Sequence, residues 1–196
     1  MDVTVVSGVP GVGSSTVTEA AVASLDERYE LLDTHDVMLE EALGSGLEVS
    51  GRDAFAEMTP REIRRLQRRM SEYVAAIAAD PDTYVVLNTH LVVNTAAGFI
   101  PGLPPEVLAD LDPDAFVLVE ADPEIVQERR AGSDYLSYSV DDRLGIEFQQ
   151  SMSRTAAFAY ATSTSAPVAL VEHVDAVDTA AARLSEEIEA AATRTH

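Results

Sequence analysis

The residues best suited to chemistry gather at the start of the chain, in Gly8-Val9-Pro10-Gly11-Val12-Gly13-Ser14-Ser15-Thr16. Glycines let a backbone curl until its N–H groups point inward at an anion. The apolar run Val3-Thr4-Val5-Val6 precedes this segment, and a helix-like stretch over 17–25 follows it. Strand, glycine turn and helix together form the context in which such a pattern holds phosphate, and the helix start near Ser15 adds the positive end of its dipole. The frame Gly8-x-x-x-x-Gly13-x-Ser15 fits the P-loop, with Ser14 where a lysine usually stands. The Ser15 hydroxyl is placed to ligate Mg²⁺, and Thr16 to support it. The expected nucleotide-binding set is therefore Gly8, Val9, Pro10, Gly11, Val12, Gly13, Ser14, Ser15 and Thr16. The alternative is a glycine turn that binds nothing, and the absent lysine argues for it.

Composition bounds what such a site serves. At 196 residues and 46% hydrophobic, the chain suffices for one α/β domain with a sizeable core. It has no run of about 18 apolar residues, so no membrane span is expected. Its start reads directly as a strand, without the basic region and cleavage site of a signal peptide, so a cytoplasmic protein is expected. There is no cysteine, which excludes disulfides and thiolate metal sites, and the four histidines lack metal-ligand spacing. The net charge is −21, and all 13 basic residues are arginine. Such a surface repels nucleic acid and anionic membrane. Carboxylate excess without lysine resembles proteins adapted to the cytosol of salt-loving archaea, where molar salt screens self-repulsion. A generally acidic bacterial protein is the simpler alternative.

The elements that must position the glycine segment alternate along the chain. Strands are expected over 2–7, 29–33, 83–88, 115–119 and 167–171. Helices are expected over 37–43, from the Thr59-Pro60 start to about 79, and over 105–111, 125–130, 144–161 and 175–192. Thr34, His35 or Asp36 can cap the helix over 37–43. Thr59-Pro60-Arg61-Glu62 combines an N-cap, proline at the first position and an acid three residues after the cap. That helix carries Arg61, Arg64, Arg65, Arg68 and Arg69, which read as a solvated face balancing the acidic surface, with a substrate role as the alternative. The Gly- and Pro-rich stretch through 98–104 reads as a loop, and 131–142 as a flexible excursion. This alternation predicts an α/β fold, a parallel five-stranded sheet with helices on both faces. Thr89 and His90 then fall at the carboxyl end of the third strand, the edge where open α/β sheets bind ligands.

Several segments together resemble the archaeal type of adenylate kinase. They are the glycine segment, Val37-Met38-x-Glu40-x-Ala42, Arg52-Asp53, Thr89-His90, Gly102-Leu103-Pro104, Val117-Leu118-Val119-Glu120-Ala121, Arg129-Arg130, and Gln150-x-Met152-x-Arg154-x-Ala156-Ala157-x-Ala159-Tyr160. They keep the family's order over almost the whole chain, and Ser14 fits a family in which serine or glycine often replaces the lysine. The resemblance implies reversible phosphoryl transfer from Mg²⁺-ATP to AMP, giving two ADP. It implies a P-loop nucleoside monophosphate kinase domain over 1–196, with a mobile AMP-binding region near 33–60 and a lid near 131–142. It further implies Arg129, Arg130 and Arg154 as the arginines that collect the transferring phosphoryl, and Arg52, Thr89 and His90 as acceptor-side residues. Homotrimers are common in the family. A helix C-terminal cap is the alternative role for Arg129 and Arg130.

The chain departs from the family where charge matters. Asn88-Thr89-His90 stands where the family has Asp-Thr-His, and the aspartate would hold Mg²⁺ through water. The lid span reads Tyr135-Leu136-Ser137-Tyr138-Ser139, without the family's arginines, and Ala56 and Ala97 replace expected cations. Two other readings follow: a weak or inactive nucleotide-binding paralogue, and a P-loop kinase acting on a different small acceptor, which the Thr34-His35-Asp36 region would fit.

Overall fold

The computed structural model describes residues 2–44, 55, 58–95, 98–132, 143–174 and 176–195. Five strands form one parallel sheet: β1 (Val3–Gly8), β2 (Tyr29–Asp33), β3 (Tyr84–Thr89), β6 (Ala115–Glu120) and β7 (Val168–Glu172). Their spatial order is β2-β3-β1-β6-β7. The three central strands are buried almost throughout, while the edge strands β2 and β7 are buried only in part. Near-continuous apolar runs at the centre are what a sheet covered on both faces requires.

Alternation along the strands feeds two cores. Val3, Val5, Leu87, Phe116 and Leu118 face α2 (Thr34–Gly44), α3 (Pro60–Ile77), α4 (Pro105–Leu111) and α6 (Arg143–Thr164). Val6, Val86, Val117 and Val119 face the other way, toward α1 (Ser14–Val22) and α7 (Val177–Thr195), with Val126 of α5 (Pro123–Ala131) in the same core. The parallel sheet covered on both faces is the one expected from the alternating elements. Among the described residues, no helix is long and apolar enough to cross a membrane.

Local signals explain most boundaries. Thr59 caps α3 with the reciprocal box: Glu62 N donates to Thr59 Oγ1 at 3.3 Å, and Thr59 N donates to Glu62 Oε2 at 2.9 Å. Asp122 caps α5 through its Oδ1, which accepts from Glu124 N at 2.8 Å. Helix α2 begins at Thr34, directly after β2, so Thr34, His35 and Asp36 lie inside it rather than before it. The stretch expected as a loop is partly a hairpin, in which β4 (Val92–Thr95) pairs antiparallel with β5 (Gly98–Pro101). Its end is fastened by close approach. Gly102 N donates to Leu91 O at 2.9 Å, and a Cβ at Gly102 would stand 1.7 Å from His90 O. Only glycine fits there. Arg52 and nearly all of the span 131–142 lie outside the described residues.

Candidate active site

The candidate site sits at the carboxyl ends of the sheet strands. Gly8 ends β1 and passes into a turn in which Val12 N donates to Val9 O at 3.1 Å. Gly11 and Gly13 both have left-handed φ values, +85° and +87°. Gly13 is the N-cap of α1 and offers no side chain to the helix's first amides. Those amides, which a serine or aspartate often caps, have no side-chain partner from Gly13, an arrangement chemically suited to an anion. Ser14 is buried beneath the turn, Ser15 is half-buried, and Thr16 is exposed.

No residue from Gly8 to Thr16 is charged. The cations come from the last turn of α5. Arg129 Nη1 donates to Val12 O at 2.8 Å, and Arg130 Nε donates to Pro10 O at 2.7 Å. Arg130 Nη2 also donates to Gln149 Oε1 of α6 at 2.9 Å. Buried His173, just beyond β7, joins Arg129 on the same carbonyl, with its Nδ1 2.8 Å from Val12 O. Arg129 Nη1 also stands 3.1 Å from this Nδ1, so carbonyl, imidazole and guanidinium meet in one cluster. Burial pushes the Arg129 guanidinium below its ordinary value. The two arginines thus hold the turn by its carbonyls while placing positive charge against it. This is more specific than a helix C-terminal cap.

The other side of the turn is held by β3. His90 Nδ1–H donates to Gly8 O at 2.8 Å, and the His90 and His35 rings meet edge to face at 5.2 Å. Thr89 is buried beside Ser7 of β1. One residue earlier, the Asn88 amide nitrogen donates to Ser15 Oγ at 3.0 Å and to Asp33 Oδ2 at 2.8 Å. Its Oδ1 is buried without a hydrogen-bond partner. A small cleft opens next to the turn, lined by Gly8, Pro10, His90, Val93, Phe99, Arg130 and Gln149 among others.

Arg154 is placed differently from its neighbours in the expected set. It makes a two-pronged pair with Glu120 at the end of β6, Nε to Oε1 at 2.7 Å and Nη2 to Oε2 at 2.6 Å. Glu120 raises the Arg154 guanidinium above its ordinary value. The structure therefore brings Gly8–Thr16, Thr89, His90, Arg129 and Arg130 to one place. It sets Arg154 on a carboxylate, and Arg52 is outside the described residues. His173, Gln149 and Asp33 were missed as site residues from sequence. The signal available for Asp33 and His173 was position, since each lies at or just past the carboxyl end of a strand.

Comparison with known proteins gives a consistent result. A family model described as an AAA domain matches residues 7–144. The adenylate kinase of Methanopyrus kandleri is 42% identical over 174 residues, covering 88% of this chain and 90% of the relative. That of Methanothermobacter thermautotrophicus is 38% identical over 190 residues, covering 96% and 100%. Among solved structures, shikimate kinase from Bacteroides thetaiotaomicron superposes with a TM-score of 0.62 at 19% identity, covering 96% of this chain and 98% of that one. At that identity the likeness speaks for the fold alone.

Proposed function

This chain belongs to the adenylate kinase family, and we propose that it transfers the terminal phosphoryl of ATP to AMP across the turn between β1 and α1. The observation that carries this reading is the uncapped start of α1, with Gly13 in a left-handed conformation and first-turn amides open to phosphate. Phosphoryl transfer asks little covalent chemistry of the protein; it asks for alignment and charge neutralisation. The amides from Gly11 to Thr16 bind the donor's phosphates. Arg129 and Arg130 fix the turn and bring positive charge to it, compensating for the lysine that Ser14 replaces. AMP enters the adjoining cleft, with His90 on its wall, Thr89 buried behind it, and Arg52 contributing from the AMP-binding region near 33–60. The span 131–142 serves as the lid. Arg154 acts by exchanging Glu120 for the moving phosphoryl group.

Mg²⁺ suits the residues present. Ser15 supplies a hydroxyl at the start of α1, and Asn88, whose amide nitrogen donates to that hydroxyl, carries a buried oxygen, Oδ1, without a partner. Bound with ATP, the ion would neutralise charge developing between donor and acceptor oxygens.

The setting we propose is a salt-rich cytoplasm, without nucleic-acid or membrane partners, in keeping with the net charge of −21. A homotrimer would cover some of the exposed Phe158 and Leu170, which are 63% and 58% accessible.

The test is coupled ADP formation from ATP and AMP with Mg²⁺ in roughly 2–3 M KCl, which screens the acidic surface. Turnover of about 1 s⁻¹ or more is expected. One observation favours a second reading, a nucleotide binder with little transfer activity: Arg129 and Arg130 are engaged with loop carbonyls and Arg154 with Glu120. Folded protein that binds ATP without turnover would establish that reading instead.

A further inference from the structure

We propose that Asp33 supplies the metal-site carboxylate that β3 lacks, acting through its contact with Asn88. The inference rests on the kinase reading above and assigns one more residue to the same site. A P-loop kinase needs an acid near the hydroxyl that ligates the ion, because Mg²⁺ in such sites is held by one or two carboxylates together with substrate phosphates. The side chain of β3 nearest that hydroxyl is an amide, Asn88, which adds no negative charge. The carboxylate lies one strand over.

The sheet places it there. Asp33 ends β2 and is paired in register with Asn88. The two hydrogens of the Asn88 amide are divided between Ser15 Oγ at 3.0 Å and Asp33 Oδ2 at 2.8 Å. Turning the amide over would set its oxygen against the carboxylate, so these contacts fix its orientation. The other carboxylate oxygen, Oδ1, accepts from His35 N at 2.9 Å, and the side chain is only 15% exposed. Asp33 is therefore held rigidly and largely out of bulk water, separated from Ser15 by one amide nitrogen.

Asn88 Oδ1 provides the second, independent sign. Asn88 is 7% exposed, and this oxygen has no partner. A buried acceptor left open is costly unless a ligand completes it, and a metal-bound water is a donor that would. The arrangement also explains why an amide belongs at position 88. An aspartate there would lie within hydrogen-bonding distance of Asp33, and two such carboxylates cannot both stay ionised. One negative charge is kept, on β2, and the amide holds it toward Ser15. Asp33 is thus a positioning residue for the ion's water rather than a direct ligand.

The experiment measures Mn²⁺ binding to the protein–ATP complex by electron paramagnetic resonance, alongside ATP affinity without metal. It uses wild type, Asp33→Asn, Asn88→Asp and the exchange Asp33→Asn/Asn88→Asp. We expect Asp33→Asn to weaken Mn²⁺ by about 10–100-fold, the usual cost of removing a group that orients a metal's shell. Metal-free ATP affinity should stay near wild type. Asn88→Asp alone should also weaken the ion, by crowding two carboxylates, and the exchange should restore it because one acid again stands beside one amide. Unchanged Mn²⁺ affinity in Asp33→Asn overturns the proposal while leaving the kinase reading intact. Failure of the exchange to rescue overturns it too, since the loss would then be structural. Wild type that binds no ATP would instead defeat the kinase reading itself.

Discussion

Two groups of arginines show how the same side chain takes different work in different surroundings. Arg129 and Arg130 end the short helix α5 and reach inward to the carbonyls of Val12 and Pro10. On α3, Arg64 meets Glu106 at 2.6 Å, and Arg69 lies 3.6 Å from Glu41. Arg64 is 60% exposed at its side chain, and its pair works in water, where such contacts contribute little. The α3 group is the denser cluster in the sequence, yet it lines an open groove on the protein's flank. What separates the two groups is enclosure and the identity of the acceptor. A guanidinium on a loop carbonyl fixes backbone geometry, whereas one on a surface glutamate balances charge.

The comparison breaks most sharply at the loop itself. Gly13→Val should abolish ATP binding, measured by calorimetry. Gly13 has φ +87°, and a Cβ there would stand 2.9 Å from His173 Cε1, in the side chain that shares Val12 O with Arg129. Retained binding would mean that this turn is not the nucleotide site.

Arg129→Ala comes next. It removes the donors to Val12 O and to His173 O, and we expect kcat/KM to fall by about 10²–10³, the range for losing one preorganised charge contact. Arg129→Lys should recover only part of this, because an ammonium cannot reproduce the forked contact. A full recovery would show that charge alone matters.

Smaller effects are expected on α3. Thr59→Ala should lower unfolding free energy by about 1 kcal/mol in urea titrations with kcat unchanged, since it removes a cap far from the loop. The Thr59 side chain and then its backbone hold the Glu62 carboxyl below its ordinary value of 4.5. A depressed acid stabilises the fold above its unfolded value and loses that contribution as pH falls through its folded value. The gap between wild type and Thr59→Ala should therefore shrink in acid, and a constant gap from pH 7 to pH 3 would count against the box. Smallest of all, Arg64→Ala should leave kcat/KM within about twofold of wild type. A loss as large as that of Arg129→Ala would erase the distinction between the two groups.

Much of this was legible along the chain. The β2 boundaries match the expectation residue for residue, and the Thr59 cap forms as Thr-Pro-x-Glu predicts. Both signals are local, carried by apolar runs, turn residues and capping chemistry. The β4–β5 hairpin was not legible, because its strands are only four residues long, β5 begins with Gly and ends with Pro, and its closure depends on Gly102 packing against His90 O. Helix α2 begins earlier than its apolar pattern, since Thr34 and His35 follow β2 without a break. Within the site, the glycine segment and His90 stood out by type and spacing. His173 and Asp33 did not, because each matters through residues more than 50 positions away.

The sequence by itself determined the glycine turn between β1 and α1, the alternation of strands and helices and the family, because these are written in short-range pattern and in the order of segments. Tertiary structure decided where the charges go. It turned Arg129 and Arg130 onto the loop, set Arg154 on Glu120 and brought Asp33 against Asn88. Those choices depend on strand order and register, which place residues distant in the chain at hydrogen-bonding range, and no local pattern encodes that distance.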